Sequence, residues 1–536
     1  MKYFGTDGIR GGVNKGNIRA DFFVKLGYVV GYLIYSKYTK NNPNSGRKPI
    51  VIIGKDTRLS GYMIESSLMA GLVSTGVDVM LTGPISTPAI SVLTKSMRAD
   101  GALMITASHN HFYDNGVKVF NEKGEKATAQ EEGEIEELLG DEPSKFFVES
   151  HLFGKARRIE NVDGRCVEFV KGQFRGLNLR GMKIAIDPAN GGAYKIAPAI
   201  FWELGAEVFC KFNEPDGTNI NHFCGSNHPE VISQMVVEKT ADIGISLDGD
   251  ADRICICDEN GKQINCHHIM ALIALDMNKK GELGCNKVVS TILANTGFED
   301  FLQQHNIDLV KVAVGDKNVY YKLVELGCNF GGEPSGHLIL PQFCKTGDGV
   351  LTALKFISIL HEQKMKASAV HQMFNLTPYV ELNIALNGKK INFAAVDAAV
   401  EIKIAKIKSQ MSEENLSRCE TFRPKFATGE CNLGGFNGTS LRAPNHISDL
   451  GEKSQIADGN LGGGNKVFKC GQVLGEKSAT DKDNLGGGKF LGGGVNIIVR
   501  KSGTEDKLRI VVNANLPLAH LQTIATTLQN IALTDS

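Results

Sequence analysis

The stretch Ala102-Leu103-Met104-Ile105-Thr106-Ala107-Ser108-His109-Asn110 decides how this chain is read. Ala102–Thr106 has the pattern of a strand that runs straight into a short polar loop, and Gly116–Phe120 is a second strand leaving it. A polar loop at the tip of a strand is where α/β proteins place their chemistry.

The same alternation extends on both sides. Upstream, Ile50–Ile53 is a β-branched run ending at Gly54-Lys55-Asp56, and Asp21–Tyr35 spaces Phe22, Leu26, Val29, Val30 and Leu33 along one helical face, with Asp21 expected as its N-cap. Downstream the pattern restarts: Lys183–Ile186 ends in the turn Asp187-Pro188-Ala189-Asn190-Gly191-Gly192, and Ile243–Leu247 ends in a loop at Asp248. It restarts again with Val288–Leu293 and Leu309–Val314, and a helix is expected over Val350–Leu360 after the turn Gly347-Asp348-Gly349. Three successive α/β units fit this order. The acidic stretch Glu131–Glu142 reads as surface near the first boundary, and the polar segment Glu362–Lys366 marks the third.

The last part differs. Tyr379–Leu386 alternates like a strand, and Ala394–Met411 reads as a helix. From Ser412 to Gly494 the chain is rich in Gly, Asn and Lys. It carries a direct repeat: Leu450-Gly-Glu-Lys-Ser454 with Asn460-Leu-Gly-Gly-Gly464 recurs as Leu474-Gly-Glu-Lys-Ser478 with Asn484-Leu-Gly-Gly-Gly488. With little apolar material to bury, a flexible insertion is expected there. A β-rich run, Val495–Val499, resumes before Arg500.

Bulk composition sets limits. A chain of 536 residues exceeds one core. Apolar residues make up 42% and charged residues 22%, as in ordinary soluble proteins. Lys+Arg and Asp+Glu balance at 59 each, which argues against a nucleic-acid binder. No run approaches the roughly 20 apolar residues of a membrane span, and the start lacks a signal-peptide core. Twelve cysteines without a C-x-x-C pair read as reduced thiols of a cytoplasmic protein, with Cys255 and Cys257 on one sheet face.

Four polar loops carry the chemistry. Ser108 offers a hydroxyl, but no Gly-x-Ser-x-Gly elbow surrounds it, so a hydrolase triad is unsupported and a serine that carries phosphate is the alternative. Asp248, Asp250 and Asp252 alternate in what is expected to be an extended loop, turning three carboxylates to one point, a set suited to a hard cation such as Mg²⁺. An EF-hand is disfavoured: Glu259 falls at its twelfth position, but Arg253 stands where that loop needs Gly, and the flanks read as strands. Arg253 adds a fixed positive charge beside the aspartates. In Gly332-Glu333-Pro334-Ser335-Gly336-His337, Glu333 and Ser335 suit vicinal hydroxyls, and His337 suits proton transfer or phosphate binding. Arg500, Ser502, Gly503 and Thr504 form a phosphate nest, with Arg509 able to assist from the next strand. The Walker A spacing is absent, which disfavours an NTPase.

Together these four motifs, with the opening Tyr3-Phe4-Gly5-Thr6-Asp7-Gly8-Ile9-Arg10-Gly11 and Tyr113-Asp114-Asn115-Gly116-Val117-Lys118, resemble the α-D-phosphohexomutase superfamily, and within it the bacterial phosphoglucosamine mutase family. The resemblance covers nearly all of the chain outside 412–494. It implies three related α/β domains with mixed sheets plus a smaller α+β C-terminal domain around a central cleft, with boundaries at 1–155, 156–258, 259–368 and 369–536. It also implies interconversion of glucosamine 6-phosphate and glucosamine 1-phosphate, feeding UDP-N-acetylglucosamine synthesis, through a phosphoserine at Ser108 and glucosamine 1,6-bisphosphate as intermediate and activator. One Mg²⁺ per subunit would sit on Asp248, Asp250, Asp252 and the Ser108 phosphate. Arg10 and Lys118 would stand beside the phosphoserine, Lys118 in proton transfer. Glu333 and Ser335 would bind sugar hydroxyls, and Arg500, Ser502, Gly503 and Thr504 the non-reacting phosphate. The partners implied are small sugar phosphates, with no nucleic acid or membrane, acting on a monomer or homodimer. The chain departs from the family pattern at His111, Pro334, Lys501 and Asp506, none of which removes a matched catalytic side chain. The competing readings are a phosphomannomutase/phosphoglucomutase, a degenerate paralogue disabled by the insertion, and a metal-dependent phosphatase.

Overall fold

The structure, a computed structural model, describes residues 2–385, 465–470, 487–491, 495–501, 507–514, 521–522 and 524–526. These form two compact units, one running to Tyr379 and one beginning at Val380.

The first unit opens with β1 (Ile9–Gly12), α1 (Ala20–Asn41), β2 (Ile50–Lys55), α2 (Gly61–Val73), β3 (Asp78–Pro84), α3 (Thr87–Ser96), β4 (Gly101–Ile105), β5 (Asp114–Asn121), α4 (Ala129–Leu138) and β6 (Ala156–Arg158). They make a six-stranded mixed sheet in the order β1-β5-β4-β2-β3-β6, with β4–β5 and β1–β5 antiparallel and the rest parallel. Phe23, Leu26, Val29 and Val30 of α1 pack with Ile64, Leu68 and Leu72 of α2 and with Val51 and Ile53 of β2. The two helices meet at Gly27 and Gly71: a Cβ on Gly27 would stand 2.6 Å from the Leu68 carbonyl oxygen.

A second mixed sheet, β11-β10-β9-β7-β8, follows from α5 (Val162–Gly172), β7 (Lys183–Asp187), α6 (Ile196–Glu203), β8 (Glu207–Cys210), α7 (Pro229–Lys239), β9 (Ile243–Leu247), β10 (Ile254–Cys257) and β11 (Gln263–Ile264). The third, β13-β12-β14-β15, comes from α8 (Cys266–Lys279), β12 (Lys287–Thr291), α9 (Thr296–Gln304), β13 (Asp308–Val312), α10 (Asp316–Leu326), β14 (Gly331–Gly332), β15 (Leu338–Ile339) and α11 (Gly349–Gln363). One continuous apolar core joins all three, taking in Phe120, Phe201, Ile245 and Phe356.

In the second unit β16 (Tyr379–Ala385), β17 (Asn465–Cys470), β18 (Gly487–Leu491), β19 (Val495–Lys501) and β20 (Lys507–Ala514) form a sheet in the order β16-β20-β19-β17-β18.

Several local expectations change. Asp21 is not the cap of α1. Arg19 occupies that position, and the Asp21 carboxylate pairs with its guanidinium at 2.7 Å. The acidic stretch after Glu131 is not all surface. A capping box of Thr128 and Glu131 starts α4, and Ile135 and Glu132 are buried, Glu132 through its ion pair with Lys317. The expected 155/156 boundary falls just before β6, which pairs with β3 in the first sheet. The 258/259 boundary falls before β11, which pairs with β10. Both strands are too short to show a period in sequence. Within the expected insertion, β17 and β18 are strands paired to β19, so it is not uniformly unstructured; each begins at or beside the Gly-Gly-Gly end of one repeat copy. The expected helix Ala394–Met411 and residues 412–464 lie outside the described residues.

Helix α10 latches the third sheet to the first. Lys126 bonds Asp316, Lys317 bonds Glu132, the Tyr320 hydroxyl donates to Glu125 at 2.8 Å, and the Tyr321 hydroxyl donates to the Lys126 carbonyl at 2.6 Å. Nine cysteines among the described residues are free thiols, and no helix there is long and apolar enough to cross a membrane.

Candidate active site

Strand β4 delivers Ser108 to a sealed position, 1% exposed, where its backbone takes the left-handed φ of +51°. Its N–H donates to Thr106 Oγ1 at 2.9 Å, and its hydroxyl donates to Asp248 Oδ2 at 2.7 Å. Asp248 arrives from the end of β9. The loop that follows is a turn, not the extended segment expected: the Ala251 N–H donates to the Asp248 carbonyl at 2.9 Å, and Ala251 is left-handed at φ +59°. That reversal brings Asp248, Asp250 and Asp252 inward, with one carboxylate oxygen of each within 4.8 Å of the others. Gly249 allows the two loops to touch, since a Cβ there would lie 2.6 Å from the Ser108 carbonyl oxygen.

Three buried carboxylates together repel one another, and the structure shows what offsets them. Lys118, on β5, gives its ammonium to Asp250 and Asp252 at 2.8 Å each and to Asp7 at 2.9 Å. Burial alone would drive off its proton, but Asp250, Asp252 and Asp7 outweigh burial and hold the amine well above its ordinary value. Around Asp248 the Arg253 guanidinium is the offsetting charge, and it is outweighed. Burial, then Asp252 and Asp250, push its carboxyl up to about 8. Asp250 Oδ1 is buried without a hydrogen-bond partner, and Asp252 Oδ1 meets only the His337 ring, at 3.5 Å. Such weakly answered buried oxygens beside a carboxyl that resists ionisation suit a hard, oxygen-seeking divalent cation.

The remaining candidates spread around this centre. Arg10, on β1 opposite Gly116, pairs with Asp7. Arg253 donates from its backbone to Asp248 Oδ1 at 3.1 Å and from Nη1 to His109 Nδ1 at 3.0 Å. Because a guanidinium can only donate, His109 is neutral with its proton on Nε2; burial and Arg253 lower its pKa to about 2. Glu333 is fixed by the Gly315 N–H, which donates to its Oε1 at 3.0 Å, while Ser335 is exposed at the turn tip. His337 Nδ1 faces Asp252 and Nε2 faces Asp316, both at 3.5 Å, and the Gly347 N–H donates to Nε2 at 3.0 Å. Burial opposes a charge on this ring while Asp252 favours one, but the Gly347 bond is the shorter contact and requires a lone pair on Nε2. Both ring nitrogens are therefore occupied by protein. In the second unit Arg500 on β19 faces Arg509 on β20 across the antiparallel ladder. Ser502, Gly503 and Thr504 lie outside the described residues.

Sequence reasoning named none of Asp7, Lys126, Asp316, Arg58 or Asn221 as site residues. Asp7 and Lys126 belong to the charge network: Lys126 reaches Asp7 at 2.6 Å and also pairs with Asp316. Arg58 and Asn221 hold the Ser108 loop from behind. The signals available were the Gly5-Thr6-Asp7-Gly8 motif and the Asp56-x-Arg58 that follows β2.

The sequence families described as Phosphoglucomutase/phosphomannomutase, alpha/beta/alpha domains I, II and III, match residues 1–145, 166–261 and 265–376. A phosphoglucosamine mutase of Caulobacter vibrioides is 46% identical over 400 residues, 74% of this chain and 88% of the relative. One of Bartonella tribocorum is 43% identical over 392 residues, 73% of this chain and 85% of the relative. Among solved structures, a phosphoglucomutase/phosphomannomutase family protein of Burkholderia thailandensis superimposes with a TM-score of 0.70 at 20% identity, covering 99% of this chain and 98% of that one. Three matched α/β domains in sequence order, and identity above two fifths across most of each relative, place this chain in the phosphoglucosamine mutase family of the phosphohexomutases.

Proposed function

We propose that the protein interconverts glucosamine 6-phosphate and glucosamine 1-phosphate by way of a phosphoserine at Ser108, supplying the amino-sugar phosphate from which UDP-N-acetylglucosamine is built, in the cytoplasm. The observation that carries this reading is the Ser108 hydroxyl, sealed from solvent and bonded at 2.7 Å to Asp248 inside a three-aspartate cluster. The amino sugar is favoured because the relatives matched at 43–46% identity are named for it.

The phosphoryl group on Ser108 passes to the free hydroxyl of the sugar monophosphate. The serine P–O bond breaks as the sugar P–O bond forms, and the proton leaving the sugar hydroxyl is matched by one gained at Ser108 Oγ. The bisphosphate turns end for end, and its other phosphoryl group returns to Ser108, so the two transfers together move no net proton. Mg²⁺ on Asp248, Asp250, Asp252 and the Ser108 phosphate, one per subunit, would supply charge that offsets the transferring group and polarises phosphorus. Lys118, fully committed to three carboxylates, serves as a fixed cation beside the serine, with Arg10 and Arg253 adding to it. His337 faces Asp252 at 3.5 Å and helps hold it in place. Glu333 and Ser335 read the sugar hydroxyls. Arg500, Ser502, Gly503, Thr504 and Arg509 take the non-reacting phosphate.

A coupled assay tests this with Mg²⁺, a trace of bisphosphate, and glucosamine 6-phosphate, mannose 6-phosphate or glucose 6-phosphate. Preference for the amino sugar, abolished in Ser108→Ala, is expected. Preference for mannose or glucose, or turnover that survives Ser108→Ala, would overturn it.

A further inference from the structure

The Ser108 loop is held from behind by a side chain that touches neither its hydroxyl nor the aspartates. Arg58, in the loop after β2, is fully buried, and its charge is matched by Asp56 at 2.9 Å. Its Nη2 donates to the carbonyls of Ser108 at 2.9 Å and Asn110 at 2.8 Å, and its Nη1 donates to those of His111 and Asp114, the latter at 3.2 Å. With Nε on Asp56 Oδ2, all five N–H groups of the guanidinium are used. From the second α/β region, Asn221 Nδ2 donates to the same two carbonyls, Ser108 at 2.8 Å and Asn110 at 2.9 Å. Few segments of backbone need so many buried partners. Ser108 is left-handed, an expensive conformation for a residue with a Cβ, and it persists only where its surroundings over-determine it.

We propose that Arg58, with Asn221, is a positioning residue for phosphoryl transfer: it fixes the peptide planes from Ser108 to Asp114 and thereby sets where the Ser108 oxygen points. The proposal rests on Ser108 carrying the phosphoryl group. The physical reason lies in the trans peptide, whose C=O and N–H point in opposite directions. Drawing the Ser108 and Asn110 carbonyls into the clamp turns the His109 and His111 N–H groups the other way. The clamp also ties the serine loop to the second α/β region, which carries the aspartates, so the hydroxyl and the carboxylates keep one registry. Lysine cannot replace Arg58. An ammonium has three N–H groups, and with one on Asp56 at least two of the four carbonyls lose the hydrogen bond that Arg58 gives them.

The test compares wild type, Arg58→Lys and Asn221→Ala as full-length proteins. For Arg58→Lys, kcat should fall about 100-fold with KM within about threefold, the signature of a misplaced group in a site that still binds. For Asn221→Ala, kcat should fall about tenfold. In both, magnesium affinity measured by calorimetry should stay within about threefold of wild type, and amide hydrogen exchange should quicken at residues 109–114 while β9 is unchanged. Equal kcat in all three proteins, or losses that follow metal affinity alone, would overturn the proposal. If Arg58→Lys does not fold, Asn221→Ala decides. If wild type turns over no sugar phosphate, the functional reading fails while hydrogen exchange in Asn221→Ala still decides the clamp: unchanged protection at 109–114 overturns it.

Discussion

Lys118 does in this structure what a bound cation would do, and replacing it with methionine separates the two. The side chain is 2% exposed and contacts three carboxylates within 2.9 Å. Methionine fills similar space but leaves Asp7, Asp250 and Asp252 buried beside the lysines and arginines that remain. Breaking a buried ion pair from one side costs about 3–5 kcal/mol. In EDTA, the dephosphorylated Lys118→Met protein is therefore expected to be about 3–5 kcal/mol less stable, read as a lower urea midpoint by far-UV circular dichroism. The same substitution removes a competitor for the metal. A unit charge ~5 Å from an ion is worth about 3 kcal/mol per unit of the ion's charge at an effective dielectric of ~20, and about half of that already tightens binding about tenfold. So Lys118→Met should bind Mg²⁺ at least ~10-fold tighter by calorimetry, and saturating Mg²⁺ should recover more stability in the variant than in wild type, while mutase turnover is lost. An unchanged urea midpoint in EDTA together with unchanged metal affinity would refute the view that lysine and metal share one set of carboxylates.

Three further outcomes follow from the geometry. Gly249→Ala drives a methyl group against the Ser108 carbonyl; a loss of about 1–3 kcal/mol and a kcat reduced more than KM is raised are expected from denaturant unfolding and steady-state kinetics. Glu333→Gln keeps an acceptor for the Gly315 N–H but removes the charge; a charge-assisted bond to a sugar hydroxyl is worth about 1.5–3 kcal/mol, so kcat/KM for glucosamine 6-phosphate should drop about 10–100-fold without a change in thermal stability. Asp348 caps α11 from a buried position that raises its carboxyl to about 6. Its proton is held more tightly folded than unfolded, so this group costs stability as pH rises from about 4 through 6, at most about 3 kcal/mol. Asp348→Asn cannot ionise, and its stability relative to wild type should increase between pH 4.5 and pH 7; a difference constant with pH would contradict this.

Much of the architecture was legible because it rests on local pattern. Ile243–Leu247 is a strand at the expected residues, and the loops at Ser108, Asp248 and Glu333 stand at strand ends as alternation requires. What escaped was set by long-range pairing. Glu132 looks like any residue of an acidic surface until Lys317, 185 positions later, is brought against it. Ala156-Arg157-Arg158 has no strand pattern and is ordered by the exposed edge of β3. Within the site, the aspartates were visible through their spacing, whereas the turn at Ala251 was not, since alanine carries no sign of a left-handed backbone. Arg58 and Asn221 act through carbonyl oxygens, which every residue has, so no side-chain motif announces them.

The latch of α10 on the first sheet has a consequence for how the protein is made. Lys126 and Asp316 are 190 residues apart. A ribosome adding about 5–20 residues each second needs roughly 10–40 s to travel between them. The first sheet can close early, because its six strands end at Arg158, yet Tyr320, Tyr321 and Lys317 that cover its flank have not been synthesised. During that interval Lys126 has Asp7 but not Asp316, and Lys118 waits for carboxylates encoded beyond residue 247. The nascent first region is thus a sheet with its strongest cations half-answered, and translation speed between codons 126 and 321 governs how long it stays so.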